Sequence, residues 1–191
     1  MDTQELFTFI TLRDGRQVTV RPLEANDVES LTDFFLGLSE HTRSRYGPHP
    51  FDRATAEKLC ASIDPGQTIR FITLLASDPL PQIVGYIILS REIWGGDRER
   101  YKELISFDDT ACFAPVMADA FQDQGLGSQM GRHVLACARK IGLKRVILSG
   151  GVMAENEIAC HVYLKLGFRQ LGEFITQQRG DVHNYDMMIE F

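Results

Sequence analysis

Apolar and polar positions follow two periods along this chain, and their changeovers outline the elements. Thr8–Leu12 and Gln17–Arg21 are β-rich runs on either side of Arg13-Asp14-Gly15-Arg16. Asp-Gly between two such runs predicts a hairpin, because glycine accepts the positive φ of a tight turn. Asn26-Asp27 offers a cap for a helix with Val28, Leu31, Phe34, Phe35 and Leu38 on one face. A second helix is predicted from Ala54 to Ile63, ending before Asp64-Pro65-Gly66. Strands follow at Thr68–Ala76 and Ile83–Ser90, parted by the turn Asp78-Pro79-Leu80-Pro81, and Ile93–Lys102 reads as a long charged excursion.

The second half repeats the alternation of strand and helix. A strand over Thr110–Met117 leads to a helix from Gly127 to Ile141, whose last turn carries Arg139 and Lys140 where the helix dipole favours cations. Val146-Ile147-Leu148 reads as a short buried strand. The next helix has Ile158, Val162 and Leu166 on one stripe and stops at Gly167. Strands at Phe168–Thr176 and Asn184–Glu190 complete the order, which means α/β or α+β. No repeat or linker interrupts it, so residues 1–191 read as one domain.

Composition narrows the function classes. With 44% hydrophobic and 24% charged residues the chain is globular, and no apolar run is long enough to cross a bilayer. The start Met1-Asp2-Thr3-Gln4-Glu5 is acidic where a signal peptide is basic, so a cytoplasmic location is expected. The net charge of −6 argues against nucleic acid and mildly favours a cationic amine partner. Cys60, Cys112, Cys137 and Cys160 lie far apart with no CxxC pair, which predicts reduced thiols and no zinc site.

The chemistry concentrates in Val116-Met117-Ala118-Asp119-Ala120-Phe121-Gln122-Asp123-Gln124-Gly125-Leu126-Gly127-Ser128, a strand, a glycine loop and a helix start. First-turn N–H groups have no intrahelical partner, and glycines let a ligand approach them, so the segment suits a pyrophosphate. It lacks GxxxxGK[ST], and the third glycine of GxGxxG would fall at Met130, which disfavours P-loop and dinucleotide enzymes. Pro115 cannot donate to a sheet ladder, so its strand is expected to part from a neighbour there. Free backbone groups beside a phosphate nest match coenzyme A, which joins a pyrophosphate to an arm with two amides.

Gln122-Asp123-Gln124-Gly125-Leu126-Gly127 resembles the [Gln/Arg]-x-x-Gly-x-[Gly/Ala] motif of the GNAT acetyltransferase superfamily. Asn156-Glu157-Ile158-Ala159-Cys160-His161-Val162-Tyr163-Leu164-Lys165-Leu166-Gly167-Phe168 is similar to its Asn-x-x-Ala-x-x-x-Tyr-x-x-x-Gly-Phe helix, at the expected separation. Val18–Leu23 and Tyr185–Glu190 resemble the family's opening and closing strands, so the likeness covers nearly the whole chain. Leu38–Tyr46 and Val116–Gln122 are also similar to segments of bacterial protein-lysine acetyltransferases. The resemblance implies a mixed, mostly antiparallel sheet with a parted central strand pair flanked by helices. It further implies direct acetyl transfer from acetyl-CoA to a primary amine of a small molecule or protein, without a metal. Exposed last strands in this superfamily permit a homodimer.

By the same resemblance, backbone groups of Pro115, Val116 and Met117 would line the thioester and pantetheine, and Gln122, Asp123, Gln124, Gly125, Leu126, Gly127 and Ser128 would form the pyrophosphate loop. Asn156 would bond the pantetheine arm, and Tyr163 would protonate the departing thiolate. Read without the motif, Asn156 is a helix cap and Tyr163 a core residue. The usual glutamate base is missing, since Ala111 and Gly151 stand at its two familiar positions. A water relay, Asp108, Asp109, His41 or His49 are the alternatives, while His133 and His161 read as structural. Cys112 or Cys160 as an acyl carrier conflicts with direct transfer. Arg43, Arg45, Tyr46 and His49 read either as contacts to an acceptor carboxylate or phosphate, or as a solvated loop. A non-catalytic acyl-CoA sensor is the second hypothesis, supported by the missing base.

Overall fold

The computed structural model describes residues 3–77, 79–177 and 180–191, with side chains from Glu5 onward. Met1 and Asp2 of the acidic start and Asp78 of the predicted turn lie outside the described residues. Among the described residues nine strands share one sheet: β1 (Thr8–Thr11), β2 (Gln17–Pro22), β3 (Thr68–Leu75), β4 (Gln82–Ser90), β5 (Thr110–Met117), β6 (Arg145–Leu148), β7 (Val152–Met153), β8 (Arg169–Thr176) and β9 (Val182–Glu190). Their order is β1-β2-β3-β4-β5-β6-β9-β7, with β8 also on β9. Among the described residues β5 and β6 are parallel and the other pairs antiparallel.

The helices α1 (Val28–Gly37) and α3 (Arg53–Ala61) bury their apolar faces on one side of the sheet, around Phe34, Phe35, Leu59, Ile72, Tyr86 and Ile88. On the other side α5 (Leu126–Lys140) and α6 (Glu157–Leu166) pack on Phe71, Ile87, Phe113 and Leu148. Covered on both faces, β4 is buried from Ile83 to Ser90, which is why its sequence is an unbroken apolar run.

Local chemistry starts and stops these elements, with some departures from expectation. Gly15 takes φ +87° in the β1–β2 turn, and the Leu12 N–H donates to the Arg16 carbonyl at 2.8 Å. Asp27 does not cap α1. Its carboxylate instead takes both terminal nitrogens of Arg21 at 2.7 Å and the Glu24 N–H at 2.8 Å. The second predicted helix starts one residue early, capped by Asp52 Oδ1 on the Thr55 N–H. Two short helices were not predicted, α2 (Glu40–Ser44) and α4 (Gly95–Tyr101), the latter inside the charged excursion. Neither is long enough to display a helical period, so both depend on tertiary contacts.

The sheet divides at its centre. Thr110–Phe113 of β5 pair with Arg145–Leu148 of β6, and the Ser149 N–H donates to the Phe113 carbonyl at 3.1 Å. Beyond that point β5 continues along β4 as far as Met117 opposite Gly85, while the other chain turns away. Backbone groups alternate sides along a strand, so those of Pro115 and Met117 face the opening as those of Phe113 face β6. The N–H that Pro115 lacks would point into the gap, where no ladder partner exists, so the proline is tolerated inside the sheet.

Candidate acetyl-transfer cleft

A cleft of about 1300 Å³ follows the parting between β5 and β6. One wall is built from β5, the Gln122–Ser128 loop, α5 and α6. Asp123 has φ +57° and Gly125 φ +79°, and this left-handed pair turns the chain into α5. Gly125 is the N-cap and supplies no side-chain cap, so the first N–H groups of α5 remain available at the end of the helix dipole. Gly127 has ordinary helical φ, and a Cβ there would meet only Met117, at 3.7 Å. The fold therefore does not require its bareness, which keeps the cleft floor open.

Of the sequence-predicted cofactor residues, Pro115, Val116, Met117, Gln122, Asp123, Gly125, Gly127, Ser128 and Asn156 line the cleft, as does Tyr163. Gln124 and Leu126 do not. The Gln124 amide folds back to the Ala120 carbonyl at 2.7 Å, and the Leu126 side chain is buried in the core. Either can contribute to the cleft only through its backbone. Both readings of Asn156 are compatible: its Oδ1 caps α6 on the Ala159 N–H at 3.3 Å, leaving the amide nitrogen free to donate. Tyr163 is buried, edge-on to Phe168 with ring centroids 5.6 Å apart, and burial holds its phenol pKa well above the ordinary value. It is a protonated donor at neutral pH.

The opposite wall comprises α2, the Arg45–Gly47 segment, and the turn Ser149–Met153. Ser39 caps α2, and Asp119 holds it there: the carboxylate accepts the Ser39 N–H at 2.9 Å, the Ser39 hydroxyl at 2.5 Å and the Thr42 hydroxyl at 2.7 Å. Gln122 Nε2 donates to Thr42 Oγ1 and to the Met117 carbonyl. The Asp119–Gln122 segment and α2 are thus tied side chain to side chain.

Side chains between α1 and α3 form neither a solvated loop nor a ready anion site. Arg43 donates to the carbonyls of Phe35, Leu36, Leu38 and Phe51, closing the end of α1. Arg45 meets His41 at 2.6 Å and reaches Glu155 at 3.9 Å. Tyr46 and His49 pack with Phe51, and His49 also packs against Phe35 and Tyr86. Tyr46 lines the cleft, and its hydroxyl is buried with no hydrogen-bond partner among the described residues. Burial pushes its phenol pKa well up, with Tyr86 and Tyr163 adding to the shift.

The turn Ser149–Met153 is fixed from outside the cleft. The buried Asp97 carboxylate, on the unpredicted α4, accepts the Gly150 N–H at 2.9 Å and pairs with Arg100 at 2.5 Å. Arg100 in turn bonds Asp186 at 2.9 Å and lies 3.6 Å over the Phe174 ring. Burial pushes the Asp97 carboxyl up, against the pull of the Gly150 N–H and Arg100. Gly151 has φ +69°, and a Cβ would stand 2.7 Å from the Tyr185 carbonyl, so glycine is required there for structural reasons.

None of the bases expected from the sequence stands free in the cleft. Ala111 is buried, and Asp109 is paired with Lys144 and Arg145, which hold its carboxyl below the usual range. Asp108 does not line the cleft. His49 does not line it either. Its Nδ1 faces the Pro50 carbonyl at 2.8 Å and its Nε2 the Tyr86 hydroxyl at 3.2 Å, while burial lowers its pKa. His41 lines the cleft with its Nε2 engaged by Arg45. His133 is structural, bonded to the Leu6 carbonyl, whereas His161, expected to be structural, is exposed on the cleft. Burial raises the thiol pKa of Cys60 and Cys137 to about 11 and of Cys112 to about 12, and that of Cys160 upward, so none is an activated nucleophile.

A mixed sheet parted beside a helix N-terminus, with a glycine loop and a buried phenol on the same cleft, defines the acetyl-CoA-dependent N-acetyltransferase class. The acetyltransferase (GNAT) domain model matches residues 17–169, and the chain belongs to this family of N-acetyltransferases. A curated Pseudomonas aeruginosa protein named acetyltransferase PA5475 is 27% identical over 154 residues, 78% of this chain and 76% of that protein. Among solved structures, the GNAT domain of S. lividans PAT has a TM-score of 0.74 at 21% identity, covering 97% of each chain. Ribosomal-protein-S5-alanine acetyltransferase from Vibrio fischeri follows at TM-score 0.72 and 14% identity, covering 91% of this chain and 92% of the other. Mycobacterium smegmatis RimJ, in complex with CoA-disulfide, has a TM-score of 0.71 at 16% identity, covering 96% and 86%. No helix among the described residues is long and apolar enough to cross a membrane.

Proposed function

We propose that this chain transfers an acetyl group from acetyl-CoA to a primary amine of a small molecule or protein, by direct attack with both substrates in the cleft. The observation that carries this reading is the convergence of the free α5 N-terminus, the open side of β5 and the buried Tyr163 phenol on one cleft. The N–H groups of Leu126, Gly127 and Ser128 would hold the pyrophosphate, and the open side of β5 and Asn156 the pantetheine arm. When bound, acetyl-CoA supplies the activated acyl group. Attack forms the C–N bond and breaks the C–S bond. Tyr163 gives its proton to the departing sulfur, which a protonated phenol can do and a phenolate could not.

An alkyl ammonium has a pKa of about 10.4, so the acceptor must lose a proton before attack. Asp108, Asp109 and His49 lie outside the cleft lining and His41 is engaged by Arg45, so of the predicted bases we assign that proton to a water relay. The negative charge expected to attract a cationic acceptor is not concentrated here: the cleft is lined by Arg13, Arg43, Arg45 and Lys165 against Asp123 and Glu157. The single sheet supports reading residues 1–191 as one acetyltransferase domain.

Incubation with acetyl-CoA and a panel of amines, amino-acid amides and peptides, following release of free thiol, tests this reading. Thiol release above the hydrolytic background with at least one amine is expected. Tight acetyl-CoA binding with no release for any amine would favour the acyl-CoA sensor, the reading supported by the missing base.

A further inference from the structure

Among the described residues four arginine and lysine side chains line the cleft, and two of them are already committed. Arg43 is spent on four backbone carbonyls, and Arg45 on His41 and Glu155. Arg13 and Lys165 have no carboxylate partner within 4 Å among the described residues. Arg13 sits in the β1–β2 turn, far in sequence from the loop, yet its Nη1 donates to the Asp123 carbonyl at 3.2 Å. The turn is fixed by its neighbour: Arg16 pairs with Asp14 at 2.6 Å and lies 4.9 Å over the Phe121 ring. The hairpin therefore delivers one exposed guanidinium to the outer rim of the pyrophosphate loop. Asp14 and Arg16 share the turn with it, and the cleft lining adds Asp123 and, from α6, Glu157 and Lys165.

Coenzyme A carries phosphate in two chemically different forms. The pyrophosphate diester is matched by the backbone N–H groups at the start of α5. The ribose 3′-phosphate is a monoester with a charge near −2, which main-chain donors answer poorly and a guanidinium fork answers well. We propose that Arg13 recognises the ribose 3′-phosphate of the acetyl donor, so that the chain distinguishes coenzyme A from dephospho-coenzyme A. This rests on the acetyl-CoA reading of the cleft and adds a subsite to it.

The test measures dissociation constants of coenzyme A and dephospho-coenzyme A by calorimetry at low salt, for the native protein, Arg13→Ala and Lys165→Ala. The native protein is expected to bind coenzyme A about tenfold more tightly or better, as a charge-assisted contact predicts. In Arg13→Ala that ratio should fall close to one, with affinity for dephospho-coenzyme A unchanged. Arg13 is exposed and bonded through one carbonyl, so a circular dichroism spectrum and melting temperature like the native ones are expected. An unchanged ratio in Arg13→Ala, an equal loss for both ligands, or collapse of the ratio in Lys165→Ala instead would overturn the assignment to Arg13 while leaving the donor site intact. Failure of both ligands to bind the native protein would overturn the donor reading itself, and the subsite with it.

Discussion

On the wall formed by β5, the Gln122–Ser128 loop and α6, many of the groups offered to the cleft belong to the backbone: the open side of a strand and the first turn of a helix. On the wall formed by α2 and the Ser149–Met153 turn, geometry is held by side chains from distant parts of the chain, Asp119 on Ser39 and Thr42 and Asp97 on Gly150. A backbone nest depends on φ values and is insensitive to most side-chain changes. A wall held by carboxylates can be loosened at one residue. Under the proposed function the first wall would serve the acetyl donor and the second the amine acceptor.

Substitutions sharpen that contrast. Tyr163→Phe should lower turnover by about 10²–10⁴-fold, the range of a lost general acid, while the coenzyme A dissociation constant stays within about twofold. Steady-state thiol release and calorimetry check this together, and intact turnover would remove Tyr163 from the chemistry. Asp97→Ala leaves Arg100 without a partner on α4 and Gly150 without its acceptor. We expect a loss of about 3 kcal/mol, a fall in melting temperature of roughly 6–12 °C, with coenzyme A affinity at 20 °C retained. Equal damage to donor binding would mean that the two walls are not separable.

Asp119→Ala is the finer test, because this residue precedes the Gln122–Ser128 loop and bonds to α2 on the opposite wall. About a tenfold rise in acceptor KM, with smaller changes in kcat and in donor affinity, is expected from losing a carboxylate that takes three hydrogen bonds. A rise in donor KM instead would reassign it to the loop. The smallest effect concerns His49, whose pKa burial lowers below 6.5. The unfolded chain then binds a proton before the folded one does. Stability from this group is complete above pH 6.5 and is lost as pH falls through the folded value. Urea unfolding at pH 7.5 and 5.5 should show that decline, and His49→Phe should flatten it.

The wall of β5, the Gln122–Ser128 loop and α6 was readable in the sequence because its determinants are local. Strand, glycine turn and helix start follow one another within Val116–Ser128, and Pro115 announced the parting of the sheet. Asn156 and Tyr163 share one helix with a fixed spacing. The wall of α2 and the Ser149–Met153 turn was not readable, since α2 and α4 are too short to show a period and the Asp97–Gly150 contact joins residues 53 positions apart. His49 and Tyr46 read as loop residues, although aromatic packing buries much of both.

By itself the sequence determined the alternation of elements, the parted central strand and the loop that opens α5, because each follows from neighbouring residues and backbone stereochemistry. Only the tertiary structure decided which charges face the cleft, which histidines are already bonded and which arginine reaches the phosphate loop. Those outcomes depend on long-range packing that brings a hairpin turn, a charged excursion and two helix ends onto one opening, and no local pattern encodes such a meeting.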